Sequence, residues 1–467
     1  MAVNLFPDQA ETLARLRAEM GRHKSVLLQA PTGWGKTAAS VYMLSQAREK
    51  GKRVIFTVPR KDLLEQTSKD FDGYNLDHSY IAAGRQFNPY AKAYIGMVDT
   101  MARRLDSLPD ADLVIVDETH YGSTALDRII RHYQAKGAWI VGLSASPWKL
   151  SGEGLGKWYS SMVRAPDIRW LIDNKRLCEY RAFAPARPDL SGITVSAGDY
   201  QRGQLSSFME QDRVIVGDAV RHYRDKAMGR LNLAFCTSIK HAGIVAETFK
   251  ASGIPAASID GKMDMAQRRK IIRAFAMREI LVLTNCDLCT FGFDLSMASG
   301  MKVTVEVMSD LRPTKSLALQ CQKWGRVLRY KDYPAIIFDH AGNIAEHSIP
   351  CAEREWLLES RVQKKSEGEK APPTRQCPNC FYVHSPAPIC PECGTVYEIK
   401  SREIDEVDGE LVEIDKDAEV RKRRTEQGRA RTLDDLIALG QKRGMKYPAQ
   451  WAGKVLAGRM MKNANST

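Results

Sequence analysis

Apolar and polar positions along this chain fall into a repeating alternation. Apolar runs of four or five residues at 26–29, 54–58, 94–97, 113–116 and 140–143 are bounded by turn residues and separated by amphipathic stretches of helical length. A run that is apolar at nearly every position, rather than at every second one, has both faces covered, the condition of a strand in a parallel sheet flanked by crossover helices. A second series begins after about residue 170, where 232–236, 256–259, 280–284, 302–307 and 335–339 read as strands and 265–276 as a helix between them. The pattern predicts an α/β chain with two parallel-sheet units in tandem.

Past residue 360 the alternation stops. Residues 361–375 include Lys-Lys-Ser-Glu-Gly-Glu-Lys-Ala-Pro-Pro-Thr, with no apolar period, and read as a linker. Residues 403–419 carry nine acidic residues against one lysine, and 420–462 carry twelve basic residues against three acidic, so 399–431 reads as a charged linker. Inside the basic block, Thr432 precedes an amphipathic run that stops at Gly440, and 451–460 repeats the pattern after Tyr447-Pro448. Cap, spacing and stop predict a small basic helical hairpin over 432–461. Lys442, Arg443, Lys446, Lys454 and Arg459 beside Tyr447 and Trp451 suit phosphate contact, and suit a solvated surface nearly as well.

Composition sharpens this picture in two places. Of 467 residues, 69 are Lys or Arg and 56 are Asp or Glu, a net charge of +13, while 44% are apolar, enough to give each unit a core. A wholly disordered chain is excluded; the basic balance invites nucleic acid but fits a solvated surface too. No run of 18 apolar residues occurs and the first residues lack a basic flank before an apolar stretch, so neither a membrane span nor a signal peptide is expected and the predicted location is cytoplasmic. Four of the ten cysteines cluster as Cys377-Pro-Asn-Cys380 and Cys390-Pro-Glu-Cys393. Two CxxC turns complete one closed tetrahedral Zn²⁺ site, and a segment this small needs the metal to fold, so 376–398 reads as a structural zinc ribbon. Phe381 and Tyr382 either stack on bases or pack on the ribbon, whose role is DNA grip, docking of a replication or repair protein, or stability.

The strongest chemical signal is Ala30-Pro31-Thr32-Gly33-Trp34-Gly35-Lys36-Thr37, placed between an apolar strand and a helix. Glycines let the backbone turn with positive φ, so that N–H groups at a helix N-terminus wrap a phosphate. Lys36 would then reach the β- and γ-phosphates of a bound nucleotide and Thr37 would bind Mg²⁺. Trp34 is bulky for such a loop and either packs on the sheet edge or stacks on adenine. The run at 113–116 ends in Asp117-Glu118-Thr119-His120, carboxylates at the edge where α/β sheets bind ligands. Asp117 suits the Mg²⁺ shell, and Glu118 suits the orientation of an attacking water.

Residues 5–345 resemble the superfamily 2 helicases of the DEAD/DEAH (DEXH) group, and within it the RadD-like and phage or prophage helicases. Phe6-Pro7-Asp8-Gln9 resembles the adenine-recognising Gln motif, Pro59-Arg60 through Gln66 motif Ia, Thr100 motif Ib and Ser144-Ala145-Ser146 motif III. Thr237-Ser238 resembles motif IV, Thr290-Phe291-Gly292-Phe293-Asp294 motif V, and Gln322-Lys323-Trp324-Gly325-Arg326-Val327-Leu328-Arg329 motif VI. Asp339-His340-Ala341-Gly342-Asn343 resembles the segment that closes the core of RadD-like proteins. Ser146 stands where Thr is commoner, and Phe291 where Thr or Glu is usual. The resemblance implies two RecA-like P-loop domains, 1–165 and 166–360, with Gln9, Gly292 and Asp294 at the nucleotide and Gln322, Arg326 and Arg329 brought to its γ-phosphate from the second domain. It also implies a strand groove carried by Pro59, Arg60, Gln66, Thr100, Thr237, Ser238 and Thr290, and a coupling of His120 to the second domain where a lone histidine would only be hydrogen-bonded. The expected function is ATP-driven unwinding or remodelling of single-stranded or branched DNA in replication, recombination or repair, in a phage or bacterial nucleoid. RNA-dependent ATPase activity and a nucleic-acid-binding ATPase switch remain the alternatives.

Overall fold

The computed structural model describes residues 4–184, 188–211, 213–289, 294–359 and 374–397, and in the tail 425–427, 429–430, 432–443, 447–453 and 455–456. The acidic block, most of the 361–375 linker, and Thr290 to Phe293 of motif V lie outside these residues.

The first lobe is a seven-stranded, wholly parallel sheet of β1 (Ser25–Gln29), β2 (Val54–Val58), β3 (Ser79–Ile81), β4 (Ala93–Met97), β5 (Leu113–Val116), β6 (Trp139–Ser144) and β7 (Ser161–Arg164), in the order β3-β4-β2-β5-β6-β1-β7. Every residue of β1, β2 and β5 is buried, as continuous apolar runs require. Helix Thr124–Ala135 shows how the faces are covered: Ser123 Oγ caps its start, and Leu126, Ile129, Ile130 and Tyr133 face the sheet at helical spacing.

The second lobe begins with β8 (Tyr180–Phe183). A hairpin follows, β9 (Val195–Ser196) and β10 (Asp199–Tyr200), turning on Ala197 and Gly198 with φ of 50° and 80°. Its sheet is completed by β11 (Asn232–Phe235), β12 (Ala256–Ile259), β13 (Val282–Asn285), β14 (Val307–Asp310) and β15 (Ala335–Asp339), then β16 (Arg375–Gln376) and β17 (Tyr382–His384). The order is β12-β13-β11-β14-β15-β8-β17-β16, with β17 antiparallel to β8 and β16 antiparallel to β17. The cysteine-rich segment is thus stitched onto the second sheet: Ala184 N–H bonds Phe381 O at 3.1 Å, and Arg181 pairs with Glu392.

One predicted strand is displaced. The run at 302–306 buries Val303 and Val305 without being a strand, and the strand itself is Val307–Asp310. It ends in Ser309 and Asp310, fully buried polar residues whose partners lie on other elements, so hydrophobicity alone places it five residues early. The predicted helix at 265–276 is Met265–Ala276, capped by Asp264. In the tail, Leu433–Lys442 is a helix with a Thr432/Asp435 capping box, and Gly440 packs on Pro448 and Trp451. No helix of the described residues is long and apolar enough to cross a membrane.

Candidate nucleotide site and metal centre

In a parallel sheet, ligands gather at the carboxyl ends of the strands. The phosphate loop follows β1, Pro59-Arg60 follow β2, Thr100 follows β4, Asp117-Glu118 follow β5, and Ser144 ends β6, so all reach one edge of the first sheet. Thr237-Ser238, Asp310 and Asp339 end β11, β14 and β15 in the same way.

Gly33 and Gly35 have φ of 94° and 101°. The positive φ demands glycine at both positions, and a Cβ would also displace side-chain tips, lying 2.7 Å from Leu177 Cδ2 at Gly33 and 2.4 Å from Gln9 Nε2 at Gly35. Trp34 is wholly buried and donates from Nε1 to Asp8 Oδ2 at 2.7 Å. Its ring thus packs in the core cluster that holds the sheet residues Val26, Leu28 and Leu143, rather than standing free to stack on adenine. Its carbonyl accepts from Gln9 Nε2 at 2.8 Å and Arg176 Nη2 at 2.9 Å, while Arg176 Nη1 pairs with Asp8 at 2.6 Å. Gln9 thus holds the loop rather than pointing free. Lys36 opens helix Lys36–Glu49 with exposed Thr37 beside it, and its ammonium donates to the Ala30 and Pro31 carbonyls at 3.0 and 3.4 Å.

Burial, reinforced by Glu118 and opposed by Lys36, pushes the Asp117 carboxyl up to about 7. Glu118 stands in the left-handed region at φ 45°, an unusual conformation for a residue with a side chain, and its N–H bonds Asp117 Oδ1 at 2.9 Å. That backbone turn aims the two carboxylates differently. Glu118 Oε2 accepts from Gln322 Nε2 of the second lobe at 3.0 Å and lies 3.3 Å from His120 Nδ1, which in turn sits 3.1 Å from Ser144 Oγ. Burial lowers the His120 pKa, so the ring stands neutral. His120 therefore ties motif II to motif III within the first lobe; the bridge to the second lobe is Glu118 itself.

Gln322 rides on helix Leu317–Val327, every residue of which is buried. Gly325 lets this helix press on the phosphate loop, since a Cβ there would come 2.2 Å from Thr32 Cβ and Cγ2. Arg326 is buried, has no hydrogen-bond partner at Nε, and feels Glu118, while burial lowers its pKa. Arg329, expected beside it at the nucleotide, is instead paired with Asp294 at 2.8 Å; that carboxylate also caps helix Leu295–Ser299.

The other predicted contacts are less convergent. Arg60 is exposed, Pro59 and Thr100 are half-buried, and Gln66 lines a cleft with Lys69, Arg268 and Asp294. Ser238 Oγ caps helix Ile239–Ala251 and donates to Glu210 at 2.6 Å, and Thr237 Oγ1 lies 3.0 Å from His241 Nδ1, so both hydroxyls have partners inside their own lobe. Thr290 and Gly292 lie outside the described residues. The Asp8–Trp34 bond, Arg176 and the Thr32–Gly325 contact were not foreseen; Asp8 lies within the Gln motif, but nothing in the linear pattern marks Arg176.

The four cysteine sulfurs lie within 4.8 Å of one another, Cys377–Cys393 at 3.6 Å and Cys380–Cys390 at 3.8 Å. With Zn–S near 2.3 Å, a tetrahedron has edges of about 3.8 Å, so the cluster fits one Zn²⁺. The two knuckles match: Phe381 N–H bonds Cys377 O and Gly394 N–H bonds Cys390 O, both at 3.0 Å, with φ of 62° and 72°. His384, between them, instead contacts Tyr397 OH at 2.7 Å.

A family model for the res subunit of type III restriction enzymes matches residues 2–149, and the helicase conserved C-terminal domain matches 216–331. A 51.5 kDa protein of a Lactococcus phage (isolate 7-9) is 30% identical over 379 residues, covering 80% of this chain and 79% of that one. A Schizosaccharomyces pombe protein described as the mitochondrial ATP-dependent helicase irc3 is 25% identical over 322 residues, 63% of this chain and 51% of that relative, so the chain spans about half its length. Among solved structures, a fragment described as the HsdR subunit of a type I restriction enzyme from Vibrio vulnificus YJ016 aligns with a TM-score of 0.54 at 16% identity, over 72% of this chain and 64% of that one, a likeness of fold. With helicase models matched in order on the two lobes and the phage relative aligned over most of both chains, the protein belongs to the superfamily 2 helicases of the DEAD/DEAH type.

Proposed function

We propose that this helicase hydrolyses ATP to drive unwinding or remodelling of DNA, and that the cleft between its lobes is where turnover is completed. The observation that carries this is the 3.0 Å bond from Gln322 to Glu118, a junction of motif VI with motif II made only when the lobes meet. Lys36, the loop N–H groups, Thr37 and Asp117 would hold ATP and Mg²⁺, which supply the reactive anhydride and neutralise its charge. Glu118 would orient the attacking water, fixed by Gln322 and His120, and Arg326 would complete charge stabilisation from the second lobe. Hydrolysis then depends on closure, which is what couples it to movement along a strand. The groove would run over Pro59, Arg60, Gln66, Thr100, Thr237, Ser238 and Thr290, with Gly292 and Asp294 at the nucleotide.

DNA is favoured over RNA by the restriction-subunit match of the first lobe, restriction enzymes being DNA enzymes, and by the cysteine ribbon. In this reading 1–165 and 166–360 are the motor domains, 376–398 is a structural Zn²⁺ ribbon, and 432–461 is a basic accessory element reached through the linkers 361–375 and 399–431. The test is ATPase and strand displacement measured with single-stranded DNA, forked DNA and RNA. Glu118→Gln should bind nucleotide yet lose roughly 10²–10⁴-fold in turnover. Stimulation by RNA alone would overturn the DNA assignment, and parental turnover in Glu118→Gln would overturn the site.

A further inference from the structure

Asp339-His340-Ala341-Gly342-Asn343 has no task in the site just described, yet Asp339 and Asn343 join a buried hydrogen-bond network in the second lobe. Asp339 accepts the N–H groups of Ala341 and Asn343, both at 3.1 Å, and of Ile344 at 2.6 Å, while Gly342 turns the chain at φ 75°. This turn delivers the Asn343 amide to Asp310 Oδ2 and to Arg312 O, each at 2.9 Å, and lets Asn343 Oδ1 accept Thr314 N–H at 2.9 Å. Asp310, at the end of β14, also accepts from Gln320 Nε2 at 3.0 Å and from Lys323 Nζ at 2.7 and 2.8 Å. Lys323 sends its third hydrogen bond to Arg312 O at 3.0 Å.

Lys323 and Asp310 are both wholly buried. Burial pulls the lysine pKa down, but three acceptors match the three N–H groups of an ammonium and exceed the two that a neutral amine donates, so Lys323 is charged. A buried ion pair is a poor source of stability, since apolar residues of similar volume commonly do as well. What it supplies is direction: a fixed rotation and height for the helix that carries it. Lys323 follows Gln322 and precedes Arg326 by three residues, and Lys331 caps the far end of the same helix at Val327 O and Arg329 O.

We propose that Asp310, Lys323 and Asn343 are a positioning unit that aims Gln322 and Arg326 at motif II, with the Asp339 turn as its base. None of the three touches the reacting atoms. The proposal rests on the reading of Glu118 as the water-orienting carboxylate, and its test separates the two.

In the full-length protein, Lys323→Met alone strands the Asp310 charge and endangers the fold, so the deciding variant is the double Asp310→Asn, Lys323→Met, with Asn343→Ala as an independent limb. Each is assayed for thermal midpoint, affinity for a fluorescent ATP analogue, and steady-state ATPase at saturating nucleic acid. The expected result is a midpoint and nucleotide affinity near the parental values, with kcat lowered tenfold or more and KM little changed. A folded double variant with kcat within twofold of parental overturns the proposal. So does a loss of kcat matched by an equal loss of nucleotide affinity, which is what a merely structural role predicts. If the double variant does not fold, Asn343→Ala decides by the same criteria. Glu118→Gln is run alongside: inactive Glu118→Gln with a fully active double variant sinks only the positioning unit, whereas active Glu118→Gln sinks the site on which it rests.

Discussion

Gly325 offers a substitution whose effects on folding and on turnover should have opposite signs. It lies inside helix Leu317–Val327, where alanine is the better helix former by up to ~1 kcal/mol, so the second lobe by itself should not lose stability in Gly325→Ala. Across the cleft the same methyl would sit 2.2 Å from Thr32 Cβ, an atom fixed to the phosphate-loop backbone and unable to swing aside. Ordinary carbon contacts begin near 3.5 Å, so the helix must retreat on the order of 1 Å or more. The Gln322–Glu118 bond at 3.0 Å then passes beyond hydrogen-bonding range, and Arg326 withdraws with it. Misplacement of catalytic groups by 1 Å costs ~10²-fold in rate. The assay is steady-state ATPase with saturating nucleic acid, beside a thermal melt and nucleotide titration. The expected outcome is a midpoint equal to or above parental, nucleotide still bound, and kcat down about 10²-fold. A folded Gly325→Ala protein with kcat within twofold of parental would refute the claim that closure onto the loop is needed for turnover.

Two further predictions concern stability. Burial, and then the facing Asp294, raise Asp70 to about 6, above its ordinary value, so the favourable protonated state is held at low pH and its contribution is lost as pH rises through about 6. A shift of about two units corresponds to ~3 kcal/mol, which partial exposure reduces to ~1–2 kcal/mol. Asp70→Asn should therefore melt a few degrees higher at pH 8, with a gain that shrinks as pH falls from about 6 toward 4; a gain independent of pH would refute the cause. Metal analysis of purified protein should find one zinc per chain, lost in Cys377→Ser, with faster amide exchange at Ala184, whose N–H is held by Phe381 O. Protein without metal, or unchanged exchange after its loss, would count against the ribbon as a folded part of the sheet.

The chemistry was legible wherever a local pattern carries it. A glycine loop between strand and helix, two carboxylates at a strand end, and paired CxxC turns each place their ligands through short-range geometry, and helix Met265–Ala276 announces itself by cap and period. What stayed hidden depends on contacts between distant segments. Polarity at Ser309 and Asp310 disguised the end of β14 because partners such as Lys323 come from another element. The hairpin of β9 and β10 turns on Ala197-Gly198 rather than on the Asn-Gly pair that marks such turns, and it gains its role in space, where Asp199 accepts from Thr314 Oγ1 at 2.9 Å and Gly198 lies against Ser151 of the first lobe. Trp34 was ambiguous because its partner, Asp8, is 26 residues away.

The pairing of β17 with β8 has a consequence for how this chain can be divided. A sheet edge of four residues with free N–H and C=O groups is a template on which another chain can add a strand. The ribbon covers that edge on β8, so the point at which the composition changes is not a point at which the fold ends. A motor trimmed before residue 374 would keep every helicase motif and still present an open edge beside β15, making aggregation, rather than loss of chemistry, the first cost of removing the zinc ribbon.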